Sequence, residues 1–365
     1  LLVFWPGFKG IDFTGVLAAC DPVALQHLET VVAYSEDGAT PAASFLGKPC
    51  VDYAELASRA PLEQDYSHPD DGCVIFTTSG TTKAPKFVLH DQRTLVSHGA
   101  DVAEGFGIGA QSAVLLAPPL CGIYGFCSFM AALSAGCPLV MMPAWNPAEA
   151  ARMIDAYRVT HANATDEAVA QLLAQGTGEF PFRSLSFIGY AAFSPALGGI
   201  VARAEARGVR LVGLYGTSEV QALFARQCET DTLAQRSLGG GRPVNQATRV
   251  RARDPASGLT LPHGESGELE FDAPSRMQRY FGDPEATRSA FTADGFYRSG
   301  DLGYTTDDGR FVFLARINDS LRLGGFLVSP LEIEGVVQES PGIRACQVVG
   351  VPRADGLKPV AFVTL

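Results

Sequence analysis

Apolar runs of strand length alternate with helical segments through the middle of this 365-residue chain. The runs 73–76, 113–117 and 138–142 are continuously apolar, as in short strands that are buried on both faces. Between the last two runs, residues 125–135 suit a buried helix. The alternation continues to Leu214. It predicts an α/β fold, with a large N-terminal domain of mostly parallel sheets that are covered by helices.

From about Gly239 onward the pattern changes to short segments separated by Gly, Pro and Asp. Residues 249–253 and 267–271 alternate charged and apolar side chains, and residues 310–314 are mostly apolar. Alternation of this kind is typical of strands with one buried face. These segments predict a small β-barrel-like subdomain after the α/β part.

Composition narrows the classes of protein that fit the chain. With 47% apolar and 18% charged residues, the chain can bury a large core, and its length exceeds that of one compact domain. The formal net charge of -11, without a Lys/Arg cluster, argues against a nucleic-acid partner. No run approaches the roughly 20 apolar residues that span a membrane. These features predict an enzyme with two domains, or one subdivided domain, and no membrane span.

The eight cysteines and six histidines do not show the spacing of a metal site. No two cysteines form a C-x-x-C pair, and several lie in apolar runs, which favours reduced, buried thiols and a cytoplasmic location. The histidines are scattered without an HExxH spacing, so we expect no histidine-bound metal.

A hydroxyl-rich segment with a glycine and a lysine follows the apolar run 73–76. Its hydroxyl and backbone N–H groups can donate hydrogen bonds to phosphate oxygens, and Lys86 adds a positive charge. An ordinary polar turn fits this segment alone equally well. A P-loop kinase or GTPase is disfavoured, because Pro85 stands five residues after Gly80, where a P-loop has its second glycine. The candidate phosphate-binding residues are Thr78, Ser79, Gly80, Thr81, Thr82 and Lys86.

Five segments in order resemble the signatures of one enzyme superfamily. Residues 77–86 are similar to the Thr-Ser-Gly-Thr-Thr-Gly-x-Pro-Lys phosphate-binding signature of the adenylate-forming superfamily, which contains acyl-CoA synthetases, peptide-synthetase adenylation domains and luciferases. Similarity to the later signatures occurs at residues 214–219, 267–269, 297–302 and 315–319, and the last of these continues in residues 324–326 and 330–334. Because the motifs follow in the right order over most of the chain, the resemblance is specific. It favours the acyl-CoA synthetase branch.

The resemblance implies a chemistry and a set of nucleotide contacts. ATP activates a carboxylic acid to an acyl-adenylate with release of pyrophosphate, and the acyl group then passes to the thiol of coenzyme A. It implies that Glu219 binds Mg2+, that Asp301 binds the ribose with Arg316 nearby, and that Tyr215 stacks on the adenine. The implied catalytic residues are Thr78, Lys86 and Glu219, and the implied nucleotide contacts are Thr78, Ser79, Gly80, Thr81, Thr82, Lys86, Gly189, Tyr190, Ala191, Tyr215, Gly216, Thr217, Ser218, Asp301 and Arg316.

The resemblance also implies an acyl pocket that is largely apolar, which favours an apolar or aromatic acid. Tyr190 occupies a position that is often small in the family, so we expect its ring to shorten the pocket. The implied pocket residues are Cys121, Tyr124, Gly125, Tyr190, Val220 and Phe224.

The domain organisation is expected from the same resemblance. Residues 1–317 are predicted to form the large N-terminal domain without its beginning, and Asn318 is predicted to be the hinge. Residues 318–365 are predicted to contain the hinge and the start of a small α+β C-terminal domain. The lysine that the family uses in adenylation is expected beyond Leu365.

Two alternatives to a coenzyme A ligase stay open at this point. One is a stand-alone adenylating enzyme that loads an acyl carrier protein, because the phosphopantetheine thiol is chemically the same nucleophile. The other is a non-catalytic nucleotide-binding relative, since Lys83 and Phe87 stand where the phosphate-binding signature has glycine.

Overall fold

The computed structural model describes residues 1–36, 38, 41–78, 85–193, 197–319, 321–323, 326–328, 330–353 and 356–364. The chain forms two compact units, residues 1–67 and 68–365. The predicted domain boundary at residues 317 and 318 stays a prediction.

The first unit contains a four-stranded sheet with two short helices. The sheet order is β1-β2-β4-β3; β1, β2 and β4 are parallel, and β3 forms an antiparallel hairpin with β4. Each helix begins at an aspartate whose carboxylate accepts a backbone N–H of the first turn. The elements are β1 (Leu2–Phe4), α1 (Phe13–Ala18), β2 (Val31–Ala33), β3 (Ser44–Phe45), β4 (Lys48–Asp52) and α2 (Tyr53–Ala57).

The second unit contains an eleven-stranded sheet. Its helices are α3 (Gln92–Gly105), α4 (Ile123–Ala135), α5 (Pro147–Ala156), α6 (Asp166–Gln175), α7 (Ile200–Glu205), α8 (Leu233–Arg236), α9 (Pro284–Ala290) and α10 (Pro330–Gln338). Its strands are β5 (Gly72–Thr77), β6 (Phe87–Asp91), β7 (Val114–Leu116), β8 (Leu139–Met141), β9 (His161–Thr165), β10 (Phe187–Ala191), β11 (Leu211–Thr217), β12 (Gln221–Arg226), β13 (Gly239–Pro243), β14 (Arg249–Arg253), β15 (Gly267–Asp272), β16 (Arg279–Tyr280), β17 (Tyr297–Thr305), β18 (Phe311–Arg316), β19 (Leu321–Leu323), β20 (Phe326–Val328), β21 (Ala345–Arg353) and β22 (Gly356–Thr364).

The large sheet changes from parallel to antiparallel along its width. Its order is β14-β15-β17-β18-β13-β12-β11-β10-β9-β7-β8, and the strands from β8 to β11 are parallel. From β12 onward every pairing in this sheet that the described residues show is antiparallel. The predicted α/β class is confirmed, and the β-rich segments after Gly239 extend the same sheet.

Helices cover both faces of the parallel strands, as predicted. On one face α5, α6 and α7 bury Ile154, Leu172 and Ile200 against the sheet. On the other face α3 and α4 bury Val102 and Ala131. A third core, rich in aromatic rings, lies under the antiparallel strands. Two apolar cores that enclose one sheet explain why its parallel strands have nearly continuous apolar sequences.

The run 73–76 does not belong to the parallel sheet. It lies in β5, which pairs antiparallel with β6 in a separate sheet of order β16-β6-β5. Only Phe76 of β5 is buried, and Cys73 and Ile75 are exposed. The buried strand expected here from its apolar sequence is therefore an antiparallel strand with one open face.

The C-terminal segment forms a small α+β cluster. Helix α10 packs on the antiparallel pair β21–β22, with Leu321, Cys346 and Val348 in a shared core. Asn318 lies in a 3-10 turn, Ile317–Asp319, between β18 and this cluster. No helix in the described ranges is long and apolar enough to cross a membrane.

Gly125, a predicted pocket residue, packs closely against the backbone of Pro118 and Pro119. It lies in the first turn of α4, and a Cβ atom there would stand 2.2 Å from the carbonyl oxygen of Pro119 and 2.6 Å from that of Pro118. Backbone carbonyls cannot rotate away as side chains do. Glycine therefore permits the close approach of α4 to the loop that precedes it.

We expect Gly125→Ala to lower the free energy of unfolding by about 1–3 kcal/mol, since the added methyl group overpacks the helix against two carbonyls. Urea denaturation measures the loss. Gly109→Ala is the matched control, because no atom lies within 4 Å of a Cβ at Gly109. Equal stability of the two variants would contradict the packing role of Gly125.

Candidate functional site

The predicted phosphate loop is the connection of the β5–β6 hairpin. The N–H of Thr78 donates to the carbonyl of Lys86 at 3.0 Å, and the N–H of Lys86 donates to the Thr78 hydroxyl at 3.2 Å. These bonds close the hairpin at the ends of the loop. Ser79, Gly80, Thr81 and Thr82 lie outside the described residues.

Lys86 points to a tyrosine that the sequence motifs did not single out. Its Nζ lies 4.6 Å from the centroid of the Tyr280 ring, within the range of a cation–π interaction. Tyr280 lies in β16, which pairs with β6, and its hydroxyl donates to Oε1 of Glu219 at 2.8 Å. Tyr280 thus contacts both the predicted phosphate lysine and the predicted metal ligand. No spacing rule reveals this, because 61 residues separate Tyr280 from Glu219.

Glu219 lies in the short reversal between β11 and β12 and is only 9% exposed. Its N–H donates to the Thr217 hydroxyl at 3.2 Å, and its carbonyl accepts the N–H of Met277 at 2.6 Å. Oε2 accepts no hydrogen bond from the part of the chain that the structure describes. A fixed carboxylate with one uncommitted oxygen fits the oxygen-ligand chemistry of Mg2+.

Gly216 marks a bulge in β11 that shapes this reversal. The register of β11 and β12 shifts between Tyr215 and Thr217. A Cβ atom at Gly216 would lie 2.6 Å from Cα of Ala222, so the two backbones approach too closely for any side chain.

A second buried carboxylate, Asp301, has two partners. Asp301 is 1% exposed, Arg316 Nη1 lies 3.0 Å from its Oδ1, and the Tyr215 hydroxyl donates to its Oδ2. The two charged residues face each other across β17 and β18. Burial raises the pKa of Asp301 to about 6, although Arg316 and Tyr215 both oppose the increase. The carboxylate is therefore ionised at neutral pH but close to its titration range.

The two carboxylates lie near each other. Burial is the largest cause of the raised pKa values of Asp301 and Tyr297, and the charge of Glu219 raises both further; the charge of Asp301 adds to the increase at Tyr297. Tyr215, Tyr280 and Tyr297 belong to the aromatic core under the antiparallel strands. The structure thus brings Lys86, Glu219, Asp301 and Arg316 together around these tyrosines.

The ring of Tyr215, which is predicted to stack on adenine, is almost completely buried. It is 7% exposed, and the Phe311 ring packs edge-on against it with centroids 5.1 Å apart. Its observed polar role is the hydrogen bond to Asp301. In the structure Tyr215 orients that carboxylate, and the stacking of its ring on adenine stays a prediction.

Three predicted pocket residues are corrected by the structure. Tyr190 is 3% exposed, and its hydroxyl donates to the carbonyl of Ser237 at 3.1 Å, so its ring lies in the core beneath α7. Side chains alternate along β10, which directs Gly189 and Tyr190 to opposite faces. Val220 and Phe224 are 0% and 1% exposed within the aromatic core. None of these three side chains lines an open pocket.

The other predicted pocket residues lie at the start of α4. Cys121 is exposed, and Tyr124 is half-buried with its hydroxyl donating to the carbonyls of Ala164 and Gly189 at 3.0 and 3.3 Å. Tyr124 therefore ties α4 to β9 and β10. The backbone at 189–191 ends β10 at the carboxyl edge of the parallel strands, where α/β sheets bind ligands.

These features define an adenylate-forming type of fold. The AMP-binding enzyme family model matches residues 14–281, and the chain belongs to this family.

Similar proteins include acid–CoA ligases. The chain is 34% identical over 317 residues to sulfoacetate–CoA ligase of Cupriavidus necator, covering 85% of this chain and 60% of the relative. It is 30% identical over 293 residues to 4-chlorobenzoate–CoA ligase of an Arthrobacter species, covering 78% and 54%. Its fold resembles ATP-bound MatB of Rhodopseudomonas palustris with a TM-score of 0.79 at 23% identity, covering 94% of this chain and 70% of that one. The chain thus spans little more than half the length of these curated relatives.

We expect Asp301→Asn to remove a pH dependence of stability. The pKa of Asp301 is raised in the folded state to about 6, so its contribution to stability is fully present below the unfolded value and is lost as pH rises through 6. Relative to the Asn variant, the parent protein should lose about 2 kcal/mol of unfolding free energy between pH 4 and pH 7. Urea denaturation at several pH values measures this difference. A pH-independent difference would contradict the raised pKa.

Proposed function

We propose that the protein activates a carboxylic acid with ATP and transfers the acyl group to the thiol of coenzyme A. The observation that carries this proposal is the convergence of Lys86, Glu219 and the Asp301–Arg316 pair around one tyrosine cluster. Adenylation needs a cation near the phosphates, a carboxylate with an oxygen free to bind a metal, and a buried carboxylate that accepts hydrogen bonds from the ribose. Lys86, Glu219 and Asp301 match these three requirements. Membership of the AMP-binding family and the similarity to CoA ligases support it.

Each residue has a part in forming the acyl-adenylate. An oxygen of the substrate carboxylate attacks the α-phosphorus of ATP, the bond between the α-phosphorus and the bridging oxygen breaks, and pyrophosphate leaves. Lys86, with Thr78 and the loop up to Thr82, holds the β- and γ-phosphates, and Ser218 or Thr217 contacts the α-phosphate. Glu219 would hold Mg2+, which would supply positive charge against the phosphates. Asp301 accepts hydrogen bonds from the ribose hydroxyls, and the backbone of 189–191 borders the adenine.

The acid is proposed to be apolar or aromatic. Cys121 and the Tyr124 ring lie at the start of α4, and the Tyr124 hydroxyl is already bound to two carbonyls. This leaves an aromatic face rather than a free polar group toward a substrate. After adenylation, Asn318 in its 3-10 turn is proposed to be the hinge that exposes the adenylate to the thiol.

Acid-dependent exchange of labelled pyrophosphate into ATP tests the first half-reaction across a panel of aromatic and aliphatic acids. Product analysis with coenzyme A, and separately with a phosphopantetheinylated carrier protein, tests the second. If the acyl group is transferred only to the carrier protein, the natural acceptor is a carrier protein and not coenzyme A. The absence of exchange with every acid, in the presence of nucleotide binding, would identify a non-catalytic relative.

We expect Glu219→Gln to slow pyrophosphate exchange on the order of a hundredfold or more, because it removes the charge that holds the metal. The Gln side chain keeps an oxygen for the Tyr280 hydroxyl, so the fold should be unaffected. Exchange kinetics as a function of Mg2+ concentration measure the effect. Parent-like kinetics would exclude Glu219 as the metal ligand.

A further inference from the structure

Strand β6 and helix α3 hold the segment 218–222, which contains the Glu219 reversal, by three hydrogen bonds. His90 Nε2 lies 2.7 Å from the carbonyl oxygen of Ser218, and His98 Nε2 lies 2.8 Å from that of Ala222. Between them, the amide Nε2 of Gln221 donates to the carbonyl of Thr94 at 3.0 Å. Thr94 and His98 lie four residues apart on one face of α3, and His90 lies in β6 just before that helix. We call this set of three hydrogen bonds the histidine clasp.

Both histidines are committed to the clasp as hydrogen-bond donors. A carbonyl oxygen only accepts, so Nε2 carries the proton in each ring. His90 is 0% and His98 1% exposed, and Nδ1 of each is buried without a hydrogen-bond partner among the described residues. A fully buried histidine with only one satisfied nitrogen costs desolvation energy. This cost arises at both ends of the held segment, at Ser218 and at Ala222.

The segment held by the clasp has a strained backbone. Gln221 and Leu223 have φ values of 69° and 61°, in the left-handed region that non-glycine residues rarely adopt. The Gln221 side chain is anchored further by a bond from its amide to the carbonyl of Ser275 at 3.3 Å. Strained residues persist where surrounding contacts over-determine them, and they concentrate at functional sites.

His90 also connects the reversal to the phosphate hairpin. It lies in β6, four residues after Lys86, and β6 pairs with β16 beside Tyr280. Strand β6, which begins just after Lys86, therefore reaches the backbone of the Glu219 segment through His90, and its partner β16 reaches the carboxylate through Tyr280. Two independent links join this pair of strands to the same three-residue reversal.

We propose that His90 and His98 are positioning residues, which hold the Glu219 carboxylate in register with the phosphate hairpin. The inference rests on the proposed function for its effect on catalysis, but its structural part is independent of that function. Without the His90 bond, the strained backbone at 221–223 relaxes and the carboxylate loses its fixed place beside the Tyr280 hydroxyl.

Hydrogen–deuterium exchange of the segment 217–223 tests the structural part. His90→Phe keeps a buried ring but removes the donor, whereas His90→Gln keeps an N–H at a reach similar to that of Nε2. We expect exchange in this segment to be about tenfold faster in His90→Phe and within threefold of the parent in His90→Gln. His161→Phe is the matched control, since His161 is another buried histidine in a strand and contacts Thr160 and Phe187 instead.

A second measurement tests the consequence for the metal. In His90→Phe the Mg2+ concentration for half-maximal pyrophosphate exchange should rise about tenfold, and His90→Gln should restore it. A merely structural role would lower activity and stability without this shift or its rescue. Unchanged deuterium exchange at 217–223 in His90→Phe, or equal effects of Phe and Gln, would overturn the proposal. If the parent protein shows no pyrophosphate exchange, the proposed function fails, while deuterium exchange still decides whether the clasp exists.

Discussion

The antiparallel return of β12 onto β11 is the constraint on which the rest of the second unit depends. It ends the parallel half of the sheet and starts the antiparallel half, and Gly216 makes the close backbone approach possible. The cores on the two sides differ, with aliphatic packing under the helices and aromatic packing under the antiparallel strands. The reversal at 218–220 lies at this junction, so a carboxylate placed there has rigid structure on both sides.

The site uses neutral donors to hold its charged groups. Tyr215 donates to Asp301 and Tyr280 donates to Glu219, and neither phenol neutralises the carboxylate that it orients. A buried arginine in their place would satisfy the charge and leave less of it for a ligand. Of these two carboxylates, Asp301 has a cationic partner within the described ranges, Arg316, whose side chain is 53% exposed. The arrangement keeps negative charge at the site.

The sequence carried the fold class and the order of the site segments, because those depend on apolar periodicity and on short motifs. The directions in which individual side chains point could not be predicted from the sequence. Tyr190 was expected in a pocket and lies in the core, since the face to which it points is decided by strand alternation together with the helix packed there. Tyr280 and His90 were missed for a related reason. Their partners are 61 and 128 residues away in the chain, and only the folded sheet brings them together.

The two contacts of Tyr280 couple the binding of an anion at Lys86 to the binding of a cation at Glu219. One face of its ring meets the Lys86 ammonium, and its hydroxyl meets Glu219. A cation over the ring polarises the phenol and makes its O–H a better donor. An anion that draws Lys86 off the ring would therefore weaken the hold on Glu219 and leave the carboxylate more available to a cation. Linkage makes such an effect reciprocal, so cation and anion would each raise the affinity for the other by the same factor.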